Sequence, residues 1–200
     1  MKLKVICLGL VATGALSISS AVLADGAALF TAKLCNTCHG ADANSPTTGM
    51  YPKLGGMDKE YLIAQMKDIR DGKRTNGMTI AMKATVAAVK DEEFEQIAEW
   101  LSTQPAFNGA VAADDEAAKL YAEKACNTCH GDDANSPVIS DENGRPTKLA
   151  SQTEQYLMTQ MKDIRDGKRN NGDSAKMKVK IEGIADADLQ KIAKWLAAAK

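Results

Sequence analysis

The residues of this 200-residue chain best suited to chemistry are Cys35-Asn36-Thr37-Cys38-His39 and Cys126-Asn127-Thr128-Cys129-His130. Cys-x-x-Cys-His is the spacing of c-type haem attachment. Two thiols three positions apart on a helical turn reach both vinyl groups of one porphyrin, and the adjacent His lies under the iron as proximal ligand. The chain has five Cys and two His. The two motifs take both His and every Cys except Cys7, so no thiol is left for a disulfide. Three other uses of such cysteines compete. Thiolates from both motifs could build a zinc site, but each motif is complete in itself. A thioredoxin-like pair needs a βαβ setting, and no alternating strand pattern occurs. A disulfide between Cys three apart is geometrically awkward. The expectation is two haem c groups, held covalently at Cys35, Cys38, Cys126 and Cys129, with His39 and His130 on the irons.

The motifs belong to an internal repeat. LCNTCHGADANSP (34–46) recurs as ACNTCHGDDANSP (125–137), 91 positions on, and QMKDIRDGKR (65–74) recurs letter for letter 95 positions on. Four extra residues of the second copy therefore lie between Pro137 and Leu149. A period this long indicates two copies of a small domain rather than a solenoid. The expected organisation is a segment 1–24 removed on export, domains over 25–105 and 112–200, and a linker at 106–111 within the Pro-, Gly- and Ala-containing stretch Ser102–Asp115.

Each half carries three helical patterns. A short one runs over 27–34 and 118–125. A second, 58–71 and 153–166, places Leu62, Met66 and Ile69 on one face, with Gly72 and Gly167 where a C-terminal cap belongs. A third, 91–101 and 186–196, places Phe94, Ile97, Ala98 and Leu101 on a stripe that Leu189, Ile192, Ala193 and Leu196 repeat. The stretches 39–57 and 73–90 read as long irregular connections, which suits an embedded cofactor. Aromatic residues are only 4% of the chain, and a macrocycle would supply the missing core volume.

Without a third His, bis-His ligation of an iron is excluded. Met, Lys, Tyr, Asn, water or an open position remain. The repeat selects among the Met residues. Met50, Met57, Met78 and Met158 have no Met counterpart in the other half. Met66 and Met161 correspond but lie on an apolar helical stripe. Met82 and Met177 correspond, off any helical stripe, and are the expected axial ligands. His/Met ligation fills both axial positions and suits electron transfer.

These residues, with the NSP after each motif, YPKL (51–54), EYL (60–62), QYL (155–157), the GKRTN and GKRNN segments, and Met82 and Met177, give a chain that resembles a dihaem class I cytochrome c of the cytochrome c4 family over nearly all of 25–200. The resemblance implies an all-α fold of two tandem class I cytochrome c domains, each wrapped around one covalent haem. It implies that the Pro52-Lys53-Leu54 segment offers a carbonyl to His39. In the second half Pro146-Thr147-Lys148-Leu149 is one residue longer, which leaves the acceptor for His130 open. Gly55-Gly56-Met57 and Ala150-Ser151-Gln152 stand where the family usually has Gly-Gln, so the contact between halves is expected to be seated differently. Arg70, Arg74, Arg165 and Arg169 are candidates for the haem propionates, and Tyr61 and Tyr156 for core positions with a hydroxyl at the rim.

Function classes narrow further. A formal charge of −1 excludes a strongly basic nucleic-acid binder. Lys2 and Lys4, the apolar or small run Val5–Val22 and the Val22-Leu23-Ala24 sequence read as a cleavable signal peptide, placing the chain in an oxidising periplasm. The resemblance implies a carrier without enzymatic activity, moving electrons from a quinol-oxidising complex to a terminal oxidase. The alternative is the dihaem subunit of a periplasmic dehydrogenase, such as a sulfide-oxidising flavocytochrome, with association to a membrane complex left open. A dihaem peroxidase would need an open iron. Lys176, Lys178 and Lys180 flank Met177, whereas Asp91, Glu92, Glu93, Glu95 and Glu99 crowd the third helix of the first half. The second haem edge is therefore expected to meet an acidic partner and to have the higher potential.

Overall fold

The structure, a computed structural model, describes residues 18–113 and 115–200. The segment read as an export signal, 1–24, lies outside the described residues as far as position 17. Among the described residues there are ten helices and no strand beyond an isolated bridge between Ser140 and Gly144. The first half contains α1 (Ile18–Ala32), α2 (Asn36–His39), α3 (Lys59–Arg70), α4 (Thr79–Val86) and α5 (Asp91–Thr103). The second repeats them as α6 (Glu116–Glu123), α7 (Asn127–His130), α8 (Glu154–Arg165), α9 (Ser174–Ile181) and α10 (Asp186–Ala197).

The helix boundaries follow from local chemistry. Asp58 caps α3 by accepting from the Tyr61 N–H at 2.8 Å, which satisfies one of the unpaired donors of the first turn. The helix ends at Gly72, whose φ of +74° suits glycine, and Gly167 (φ +75°) ends α8 in the same way. Glu93 reaches back to the Lys90 N–H at 2.8 Å at the start of α5. The acidic first turn of α5 also complements the helix dipole.

Each half has its own core. In the first, α5 buries Phe94, Ile97, Ala98 and Leu101 against Leu62, Met66 and Ile69 of α3. In the second, Leu189, Ile192, Ala193 and Leu196 meet Leu157, Met161 and Ile164. The terminal helices of each half cross closely. A Cβ on Gly26 would run into the Gln96 carbonyl, so only glycine lets α1 approach α5 at that point. Phe30 then packs on Trp100 with ring centroids 4.9 Å apart, and Tyr121 packs on Trp195 at 5.2 Å.

Three expectations are corrected. The stretches read as wholly irregular around Met82 and Met177 contain helices α4 and α9. Each buries only two residues, Thr79 with Val86 and Ser174 with Ile181. An apolar stripe that thin carries no periodic signal. The first helix begins at Ile18 rather than Ala27. The connection between halves is also shorter than Ser102–Asp115, because α5 continues to Thr103. Within that connection Phe107 is buried in the first core. Ala110 pairs with Lys200 through its backbone N–H at 2.7 Å, and the Trp195 indole donates to the Ala112 carbonyl at 2.9 Å.

Candidate functional site

Each Cys-x-x-Cys-His motif sits on one helical turn entered by a left-handed residue. Leu34 (φ +60°) and Ala125 (φ +55°) break the preceding helix. The Thr37 hydroxyl secures that break by donating to the Leu34 carbonyl at 2.6 Å, and Thr128 does the same to Ala125 at 2.7 Å. Gly40 (φ +81°) closes the turn, and a Cβ there would strike the Ser45 carbonyl. The following Asp-x-Asn-Ser turn is locked by Asp42, which accepts from the Asn44 and Ser45 N–H groups at 2.9 and 2.8 Å and from the Ser45 hydroxyl at 2.7 Å. Asp133 repeats this with Asn135 and Ser136.

The two imidazoles are buried and oriented by backbone carbonyls. His39 Nδ1 lies 2.9 Å from the Pro52 oxygen and His130 Nδ1 lies 2.8 Å from the Thr147 oxygen. A carbonyl only accepts, so each Nδ1 carries the proton and each Nε2 keeps its lone pair for a metal. Burial holds both rings below the usual histidine range, which favours the neutral, ligating form. The extra residue near Thr147 thus leaves the acceptor in place, because a main-chain oxygen at that position serves regardless of side chain.

The four motif cysteines are partly buried, and none is in a disulfide. Burial pushes Cys35 and Cys126 up to about 11. In the second half Cys126, Cys129, His130, Thr147, Met177 and Ile181 line one cavity of about 570 Å³, within the range of small-molecule and cofactor sites. In the first half Cys35 and Met82 both pack against the core.

The cavity reaches the contact between halves, where an unforeseen polar network lies. Arg74 is 7% exposed and Arg169 is 8% exposed. Arg74 donates to Gln65 (3.0 Å) and, across the boundary, to Gln160 (2.9 Å) and the Tyr156 hydroxyl (3.3 Å). Arg169 mirrors it with Gln160 (3.0 Å), Gln65 (3.2 Å) and the Tyr61 hydroxyl (3.2 Å). Asn76 bonds Asp163 at 2.8 Å, and Asn171 bonds Asp68 at 2.7 Å. Neither guanidinium has a carboxylate within ion-pair distance among the described residues. Two buried cations held only by neutral acceptors fit a cofactor that brings its own carboxylates. Arg70 and Arg165 do not have this character. Arg70 pairs with Asp91 and Asp71, and Arg165 with Asp186 and Asp166.

Of the two stretches that depart from the family pattern, the second-half one bonds across to the first half. Gln152 accepts from the Lys53 N–H at 2.9 Å and donates to its carbonyl at 3.0 Å. Thr153 donates to the Gly49 carbonyl at 2.7 Å. Sequence reasoning missed Gln65 and Gln160, whose signal was their identity in both copies of a segment that otherwise reads as an amphipathic helix.

Tandem helical units, each built around a Cys-x-x-Cys-His turn with its imidazole aimed inward, define two class I cytochrome c domains. Residues 23–105 match the family described as cytochrome c, and residues 112–196 match the one described as cytochrome C oxidase, cbb3-type, subunit III. A thiosulfate dehydrogenase electron acceptor of Stutzerimonas stutzeri (strain A1501) is 31% identical over 87% of this chain and 86% of its own length. Cytochrome c4 of Pseudomonas aeruginosa is 33% identical over 82% of this chain and 83% of its own. The crystal structure of reduced recombinant cytochrome c4 from Pseudomonas stutzeri superposes with a TM-score of 0.72 at 24% identity, covering 89% of this chain and 98% of that one. The chain belongs to the cytochrome c4 family of dihaem class I cytochromes c. It is a dihaem electron-transfer protein that binds two haem c groups covalently, with one Cys-x-x-Cys motif per domain at 35–38 and 126–129, and it exchanges electrons with redox protein partners.

Proposed function

We propose that this protein is an exported, non-enzymatic carrier that takes electrons from a quinol-oxidising complex and delivers them to a terminal oxidase. Each bound haem c supplies one iron that exchanges a single electron between Fe(II) and Fe(III). The chain does the rest. Cys35 and Cys38 in the first half and Cys126 and Cys129 in the second would hold the haems through thioethers. His39 and Met82 would ligate the first iron, and His130 and Met177 the second. The Pro52 and Thr147 carbonyls fix the imidazoles. Arg74 and Arg169 receive the propionates.

The observation that carries this reading is the shared cavity of Cys126, Cys129, His130 and Met177. Met177 lining the same cavity as His130 would give the second iron a sixth ligand and leave it no open position for peroxide. Export accords with α1: cutting after Ala24 leaves 25–32, the same length as α6 at the equivalent positions. No described helix is long and apolar enough to cross a membrane.

The two halves offer different docking faces. Helix α4 bears one cation, Lys83, and Ile80 beside it is 80% exposed. Helix α9 bears Lys176, Lys178 and Lys180 with Val179 73% exposed. The acidic crowd on α5 is largely matched by cations from other elements: Lys33 with Glu93 (2.8 Å), Lys59 with Glu99 (2.7 Å) and Lys67 with Asp91 (2.8 Å). On α9 Lys176 meets Asp173 at 3.5 Å, whereas Lys178 and Lys180 make no ion pair among the described residues, so the cationic face of α9 is the stronger electrostatic feature and suits an acidic partner and a higher potential at the second iron.

A second reading is electron acceptance from a periplasmic dehydrogenase of reduced sulfur compounds. The Stutzerimonas relative named as a thiosulfate dehydrogenase electron acceptor favours it. Stopped-flow mixing of the holoprotein with each class of partner separates the two. Rapid oxidation by a terminal oxidase with no reduction by the dehydrogenase supports the first reading. The reverse pattern supports the second.

A further inference from the structure

We propose that Arg145 is a positioning residue that ties Met177 to the opposite half of the molecule, a device that only the second haem site possesses. The inference rests on Met177 being an iron ligand.

The four residues added to the second copy lie in the stretch containing loop 138–145. That loop grips both sides of the site. On the thioether side, Asn143 donates to the Thr128 carbonyl at 3.3 Å, next to Cys129. On the methionine side, the Arg145 N–H donates to Asp173 Oδ2 at 3.1 Å, and Lys176 Nζ donates to the Asp141 carbonyl at 2.8 Å. Asp173 immediately precedes α9, and its carbonyl accepts from the Met177 N–H at 3.4 Å. Gly144 (φ +71°) makes the grip possible, since a Cβ there would fall inside the Asp173 carboxylate.

The Arg145 guanidinium then reaches across the boundary. Its Nη1 lies 3.0 Å from both carboxylate oxygens of Asp58, the cap of α3. A continuous path therefore runs from α3 of the first half through Asp58, Arg145 and Asp173 to the turn bearing Met177. The first half has no counterpart among the described residues. Met78 stands where Asp173 does and has no carboxylate to accept such a bond. No hydrogen bond or ion pair joins 46–53 to α4 among the described residues. Methionine is a weak, displaceable ligand, so its hold depends on the backbone that presents it. Loss of the Asp58–Arg145 pair should loosen Met177 and leave Met82 unaffected.

The test is an imidazole titration of the oxidised holoprotein, following the weak far-red band of Met-ligated Fe(III). Arg145→Gln removes the pair from one side. Asp58→Asn removes the charge from the other and keeps an equally good helix cap. Either change should tighten imidazole binding at the second haem roughly two- to fivefold, the range of a partly exposed ion pair. The double variant should add little, because both changes cut one contact. A Met82→Ala background assigns the site, since only the second haem then keeps its band. Unchanged affinity in Arg145→Gln, or equal shifts at both haems, overturns the proposal. Met177→Ala separates the two levels. A band left at full intensity by that substitution overturns the ligand reading. A band halved by it, together with no response to Arg145→Gln, overturns the positioning role alone.

Discussion

The Arg74 guanidinium of the first half donates to the Gln160 side chain of the second at 2.9 Å, and Arg169 returns the contact to Gln65 at 3.2 Å. The two halves are thus joined by one polar motif used twice, close to the two-fold arrangement that a duplicated sequence permits. Because each Arg is buried, removing its acceptor leaves a desolvated charge with fewer partners. Gln160→Leu should cost about 1.5–3 kcal/mol, the worth of a hydrogen bond to a charged group. Guanidinium denaturation of the holoprotein measures it. A second expected sign is loss of cooperativity between halves, seen as a broadened or split transition.

Asp42 and Asp133 are held below the usual aspartate range, chiefly by the Asn44 and Asn135 N–H groups respectively. A carboxylate lowered on folding contributes stability that is fully present above its unfolded value of about 3.9. That contribution is lost as pH falls through the lower folded value. The Asp42→Asn/Asp133→Asn variant should therefore melt lower at neutral pH and lose less stability on acidification from pH 5 to 2. Parallel melting curves for both proteins across that range would count against this role.

Covalent haem should be indispensable to the fold. Each half is under a hundred residues and poor in aromatic core. Cys35→Ala/Cys38→Ala/Cys126→Ala/Cys129→Ala apoprotein should show no cooperative thermal transition by calorimetry. A sharp transition at the holoprotein's temperature would show that the polypeptide core suffices.

Charge reversal of Lys176, Lys178 and Lys180 should slow association with an acidic partner and flatten its dependence on ionic strength. Lys83→Glu on α4 should have a much smaller effect. Stopped-flow rates over a salt series read both. An unaltered salt slope in the triple variant would remove α9 from the docking face.

The reach of the sequence can be judged residue by residue. The haem motifs, the stripes of α3, α5, α8 and α10, and the glycine stops at 72 and 167 were all legible, because each rests on local periodicity or a fixed chemical spacing. The acceptor for His130 was not, since a backbone oxygen leaves no mark on residue type, and Thr147 supplies it as readily as Pro52. Helices α4 and α9 escaped because they bury little. The Arg74–Gln160 network and the Arg145–Asp58 pair escaped for a different reason. They join residues 82 or more positions apart, and their geometry exists only once two copies have docked. The repeat offered one clue: Gln65 and Gln160 are identical polar residues in a segment preserved letter for letter.

The most direct measurement is low-temperature electron paramagnetic resonance of the fully oxidised holoprotein, with the far-red absorption quantified per chain. Two low-spin ferric signals and a far-red band of two-haem intensity are expected from His39/Met82 and His130/Met177 ligation. A high-spin signal, or a band worth a single haem, would contradict it.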